Sequence, residues 1–240
     1  MRITFEAWLV IGIYFFYLSD SVKLLHHNQL ILCKGYRGWK IICPDSRWQI
    51  LRKIPYIFNP FLPNIPIFYG TWSMKTEANN IDATQEIDKF INDIYPLNHF
   101  VIILFTMMCF CMPLSLFHYG AGLFFLTITF FTYSIILLML VVLFKKRLKL
   151  GLSSKNYLGI AFNCVSCPPF AINLIRKITW QHKINPGLIE FAINKLSSAD
   201  FSQLEHLLSR LDEQLLREDG NMAKSQQLKD YKCKLSELSK

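Results

Sequence analysis

Apolar positions fall into two long uninterrupted runs in the middle of the chain, with shorter patterned stretches on either side. Asn98 to Phe117 is twenty residues with no formal charge beyond that of His99, and Leu123 to Phe144 is twenty-two uncharged residues. Between them lies Tyr119-Gly120-Ala121-Gly122, and the second run ends in Lys145-Lys146-Arg147. A spanning helix needs ~20 apolar residues, so the stretch Phe100 to Phe144 predicts a transmembrane helical hairpin with a tight turn near His118 to Ala121. Pro113 predicts a kink, which membrane helices tolerate.

Before the hairpin the pattern changes three times. Ala7 to Leu18, extended by Ile3 to Phe5 and interrupted by Glu6, is somewhat short of the ~20 residues of a spanning helix. It predicts an uncleaved N-terminal membrane helix, the alternative being an interfacial helix. Only Arg2 and the amino terminus supply positive charge, and no Ala-x-Ala site follows, so a signal peptide fits poorly. Trp8, Tyr14 and Tyr17 suit a headgroup boundary. Next, Gln29 to Cys33 and Trp39 to Cys43 are short runs rich in Ile, Leu and Trp, joined by Lys34-Gly35-Tyr36-Arg37-Gly38. They predict a β-hairpin, with Arg47 to Arg52 as a third antiparallel strand. From Pro55 to Trp72, four prolines alternate with aromatics. Such a density excludes a helix interior, and the aromatics are expected to pack on the β element or at the membrane interface. Finally, Ile81, Ile87, Phe90, Ile91 and Ile94 recur at helical spacing among acidic residues. They predict an amphipathic helix over 81–95 that Pro96 terminates.

After the hairpin, Tyr157 to Ile175 is apolar but contains Asn163, Pro168-Pro169 and Asn173, and basic residues flank both ends. Crossing would export one basic flank, so the segment is expected on the cytoplasmic face. Pro168-Pro169 opens a helix from Phe170 to Trp180, laid along the headgroups. From Asn185 the spacing is that of soluble helices. Leu204, Leu208, Leu211 and Leu215 form an a/d seam, and Leu228, Tyr231, Leu235 and Leu238 continue it, which predicts a small cytoplasmic bundle.

The fold class is therefore a mainly α membrane protein with a small membrane-proximal antiparallel β element. Its segments are an N-terminal membrane helix (1–20), a cytoplasmic β/loop segment (21–97), the hairpin (98–145), a basic interfacial segment (146–184) and cytoplasmic helices (185–240).

Charge adds orientation. The 240-residue chain carries a net charge of +9 with 52% hydrophobic residues. Its basic residues cluster beside apolar runs, so membrane topology and anionic lipid account for them better than nucleic acid does. Lys145, Lys146, Arg147 and Lys149 put the exit of the hairpin inside a cell membrane. Residues 19–98 then also lie inside, in keeping with the segment Val22 to Lys53, which carries Lys23, Lys34, Arg37, Lys40, Arg47, Arg52 and Lys53 against the single acid Asp45. Lys145, Lys146, Arg147, Lys149, Arg176 and Lys177 are the candidate contacts to anionic headgroups.

Chemistry is sparse. Cys164-Val-Ser-Cys167 has the spacing of a redox pair or of half a zinc site, but no second Cys-x-x-Cys accompanies it. The bland reading is that both thiols pack. His26-His27 are neighbours that a strand would send to opposite faces. Serine-hydrolase, phosphate-loop and His-Glu-x-x-His motifs are absent from the sequence, and no cofactor is implied. The hairpin holds no intramembrane acid or base to mark a solute path, although Thr106, Ser115, Thr127, Thr129, Thr132 and Ser134 are available for bonds between helices. The expected function is that of an integral membrane scaffold or interaction subunit, in contact with the bilayer and with a protein partner or further copies of itself. The alternatives are an oligomeric pore and a membrane-bound thiol enzyme using Cys164 and Cys167.

Overall fold

The computed structural model describes residues 4–25, 29–35, 38–42, 54–71 and 81–182, together with Ser209, Lys229 and Cys233. The expected third strand at Arg47 to Arg52, the pair His26-His27 and the helical seams after residue 185 lie outside the described residues. The chain divides into two compact units. One comprises Met1–Leu24, Pro55–Pro66 and Glu86–His182, and the other Leu25–Ile54, Ile67–Gln85 and Lys183–Lys240.

The first unit is helical. Helix α1 (Phe5–Ser21) begins at Thr4, whose hydroxyl accepts from the Ala7 amide at 3.4 Å. It is followed by the short strand β1 (Val22–Leu25), which pairs with β4 (Ile54–Ile57). Helix α2 (Ile81–Thr106) continues through a π turn (Met107–Cys111) into α3 (Met112–Tyr119). Helix α4 (Leu123–Lys146) returns antiparallel to it. Three short helices complete the unit: α5 (Ser154–Ser166), α6 (Pro169–Ile172) and α7 (Leu174–Gln181).

Pro96 does not end the amphipathic helix expected over 81–95; α2 runs straight through it. The reason is visible in what the helix buries. Ile87, Phe90, Ile94, Leu97, Val101, Leu104 and Met108 are all buried, at alternating steps of three and four residues. One continuous apolar stripe thus crosses Pro96. Proline in a helix interior costs ~3 kcal/mol through its missing N–H and its clash with the preceding turn. Burying several large side chains, each contributing about 1.5–3 kcal/mol, outweighs that.

The ladder yields instead before Pro113. The Met112 amide reaches back to the Met107 carbonyl across the wide turn Met107–Cys111, and Pro113 occupies the first turn of α3, where its missing N–H does least harm. The turn between the long helices falls at the glycines, as the sequence predicts. Gly120 has φ +66°, a left-handed conformation that favours glycine, and its amide closes α3 on the Leu116 carbonyl at 3.1 Å. Ile87–Tyr119 and Leu123–Lys146 are both long and apolar enough to cross a membrane.

Helix α1 lies antiparallel to α2 and α3. Tyr17 packs on Phe105 with ring centroids 5.9 Å apart, and Tyr14 reaches Cys109. Its amino-terminal end therefore points toward the Gly120 turn, and its carboxyl end toward the start of α2.

The second unit contains a three-stranded antiparallel sheet in the order β3-β2-β5, formed by β2 (Gln29–Gly35), β3 (Gly38–Ile42) and β5 (Ile67–Thr71). The expected hairpin is present, with Lys34 opposite Trp39 and Gly35 opposite Gly38. Its third described strand is β5, from the proline-rich stretch, with Ile31 opposite Tyr69. Ile31 and Leu32 point to opposite faces of the central strand and both are buried. Trp39 and Phe68 pack with centroids 5.9 Å apart.

Candidate functional site

Polar chemistry in the helical unit gathers where α1 ends. Asn173 breaks what would have been one helix from Phe170 to Trp180 into α6 and α7, taking φ −89° and ψ 13°. Its side chain explains the break. The Asn173 amide donates to the Tyr17 carbonyl at 3.1 Å and to Ser21 Oγ at 3.2 Å. The Ser21 hydroxyl lies 3.0 Å from the same Tyr17 carbonyl. One turn later, Arg176 donates to Asn173 Oδ1 at 3.1 Å, to the Asn59 carbonyl at 2.5 Å and to the Leu62 carbonyl at 2.8 Å. The Tyr17 hydroxyl donates to the Pro60 carbonyl. Ser21, Asn173 and Arg176 are each at most 4% exposed.

This node joins three pieces of chain distant in sequence: the end of α1, the loop Asn59 to Leu62 and the α6–α7 junction. The Asn59 and Leu62 carbonyls of this proline-rich loop accept turn bonds from the Leu62 and Ile65 amides at 3.3 Å, and each has a second lone pair free for a further donor. The planar guanidinium fork supplies several at once. Phe58 lies beside it, with the Arg176 guanidinium carbon 5.7 Å from the ring centroid and the Trp180 ring 5.8 Å away.

The headgroup contacts expected from sequence separate into two groups. Arg176 is 4% exposed and held by backbone carbonyls. The helix expected to lie along the headgroups is likewise buried at Leu174, Ile175, Ile178 and Thr179. Lys177 pairs with Asp20 at 3.1 Å and sits 4.4 Å from the Phe170 ring centroid. Lys146 donates to the Asp93 carbonyl at 2.8 Å and pairs with its carboxylate at 3.4 Å. Arg147 reaches Ser154 Oγ at 3.3 Å and stacks over Phe144. Lys145 and Lys149 are exposed.

Cys164 and Cys167 are both free thiols. Cys164 is fully buried, and burial pushes its thiol up to about 11. Burial also raises Cys167, against opposing contributions from the Phe170 amide and Lys177. Nucleophilic cysteines need the opposite shift, because the thiolate is the reactive form. Among the described residues, no group of three or more His, Cys, Asp or Glu side chains stands close enough to hold a metal ion.

Five of the six hydroxyls available for bonds between helices turn to their own backbone. Thr106, Thr127, Thr129, Thr132 and Ser134 each donate to the carbonyl four residues back in their own helix, at 2.9 to 3.0 Å. This satisfies the hydroxyl locally. Ser115 alone of the six has no hydrogen-bond partner, and it is buried.

Sequence reasoning missed the node. Its only trace was Asn173 as a polar interruption near Arg176 in apolar surroundings; nothing in the spacing connected either to Ser21 or to the loop at Asn59.

Comparison of the chain with protein-family models, with curated proteins and with solved structures finds no match in any of the three.

Proposed function

We propose that this chain is an integral membrane protein whose helical unit is an anchor and whose remaining mass serves as a scaffold or interaction subunit. The observation that carries the anchor is the outer surface of the helices. Leu123, Phe130, Leu137, Leu138 and Val141 of α4 are all more than half exposed. Most of α4 lies unburied, whereas the core helix of a soluble protein is mostly buried. Helix α1 carries a matching outer stripe, Phe5, Trp8, Ile11, Phe15 and Leu18. Apolar surface on this scale requires lipid or protein against it, and lipid needs no specific complementarity.

Orientation follows from charge. The pairs Lys146–Asp93 and Lys177–Asp20, with exposed Lys145 and Lys149, collect toward the ends of α4 and α1 away from the Gly120 turn. That end is assigned to the cytoplasm, with the amino terminus outside.

The scaffold reading rests on how the polar groups are used. Arg176, Asn173, Lys146 and Lys177 all bind parts of their own chain, which makes a rigid support. The recruiting surface is assigned to residues 185–240, whose spacing of leucines in the sequence predicts helices. Two measurements test the reading. The full chain should remain in the membrane pellet after alkaline carbonate extraction, and release into the supernatant overturns the anchor. Reconstituted in planar bilayers it should pass no current above that of lipid alone, and a steady conductance replaces the scaffold with an oligomeric pore.

A further inference from the structure

Helix α5 presents three distinct sides. At ~100° per residue, Tyr157, Ile160 and Cys164 share one sector, and Ile160 and Cys164 are buried. A second sector holds Leu158, Phe162 and Val165, which are 65%, 72% and 41% exposed. The third holds Lys155, Asn156 and Asn163, all exposed. A soluble surface helix needs only two sides, one buried and one polar. The additional apolar stripe, bordered by a lysine, is the pattern of a helix lying in a membrane interface.

Its position fits. The Tyr157 hydroxyl donates to the Leu140 carbonyl at 3.2 Å, and its ring packs on Phe144 with centroids 5.3 Å apart. This holds α5 against the last turns of α4, where the exposed apolar surface of that helix gives way to Lys145 and Lys149. Charge points to the lipid class. Between Asp93 and Glu190 the sequence contains no acidic residue, so every formal charge near α5 in sequence is positive. With 13 residues α5 is too short to cross.

We propose that α5 is a membrane-surface helix, with Leu158, Phe162 and Val165 seated at the boundary of headgroups and acyl chains in an anionic leaflet and Lys155 at the level of the phosphates. The assignment rests on the membrane reading above and moves the interfacial element from the segment around Arg176 to α5. A basic interfacial helix is drawn to anionic lipid, so its seating depends on lipid composition, whereas that of α4 does not.

The test uses the full chain in vesicles of phosphatidylcholine and phosphatidylserine containing a phosphatidylcholine with a photoreactive diazirine in its acyl chain. Adducts are mapped by mass spectrometry. Leu158, Phe162 and Val165 should be labelled and Ile160 and Cys164 spared, with Leu137 and Leu138 of α4 labelled in the same sample. Labelling of α4 without α5 means that protein covers the stripe; it overturns the proposal and leaves the membrane anchor standing. Labelling of neither overturns both. Omitting phosphatidylserine should lower the yield on α5 severalfold relative to α4, and an unchanged ratio overturns the assignment to an anionic leaflet. Phe162→Asp, placed on an exposed position that folding does not bury, should abolish labelling at 158 and 165 while sparing α4; persistent labelling there counts against the proposal.

Discussion

The Tyr14 hydroxyl donates to the main-chain carbonyl of Cys109 at 2.5 Å, across 95 residues of sequence. Cys109 belongs to the π turn Met107–Cys111, where the Met112 amide reaches five residues back to Met107. The contact fixes the height of α1 against that turn. In an apolar environment losing such a bond is costly.

Tyr14→Phe should therefore destabilise the helical unit by about 1–3 kcal/mol, read as a lower unfolding temperature in detergent. An unchanged unfolding temperature would show that this bond does not hold α1 against the turn.

Arg176 clamps two carbonyls of the loop and the Asn173 side chain. Arg176→Lys keeps the charge but replaces the fork with a point donor, and Arg176→Ala removes the charged bonds altogether, leaving the two carbonyls only their turn bonds. Thermal unfolding should rank wild type above Lys above Ala, with Ala losing about 1.5–3 kcal/mol. Protease cleavage near Asn59 to Leu62 should accelerate in the same order. Indifference of the loop to Arg176→Ala would separate the two.

The Cys164 thiol is raised from 9.0 to about 11 by burial, so the fold favours its neutral form. Its folded value lies above its unfolded one, and the stabilisation is complete below pH 9. It is lost as pH rises toward 11. Native Cys164 should resist iodoacetamide at pH 8, while the exposed Cys233 reacts. Cys164→Ala should flatten the alkaline fall in stability. Rapid labelling of Cys164 at pH 8 would revive a reactive thiol.

Ser115 is 1% exposed and its hydroxyl has no partner. Ser115→Ala removes an unmet polar atom at little change in volume, and should stabilise the chain by about 1 kcal/mol or be neutral. A clear loss of stability by the same thermal assay would show that this hydroxyl makes a bond that holds the fold.

The elements that could be read from sequence are those fixed by local physics. Two charge-free runs of spanning length, a glycine break and a basic exit predict α4, the turn at Gly120 and the end at Lys146 without reference to the rest of the fold. The β-hairpin at Gly35 and Gly38 was equally local, since its two short apolar runs flank a glycine-bounded turn.

Other features depended on partners far along the chain. Pro96 reads as a stop because proline opposes a helix locally. Only the buried stripe from Ile87 to Met108 keeps α2 intact across it, and burial is a property of the packed helices. Arg176 reads as a surface cation because arginine usually is one; its burial requires carbonyls at Asn59 and Leu62, more than a hundred residues away. Among the described residues Ile67 to Thr71 pairs with the hairpin, because strand pairing joins segments without regard to their order. The sequence by itself determined the apolar lengths, the turns and the distribution of charge, all set by each residue and its near neighbours. The tertiary structure alone decided which polar groups are consumed inside the protein and which apolar faces remain outside, because those depend on what stands opposite each side chain once the chain has packed.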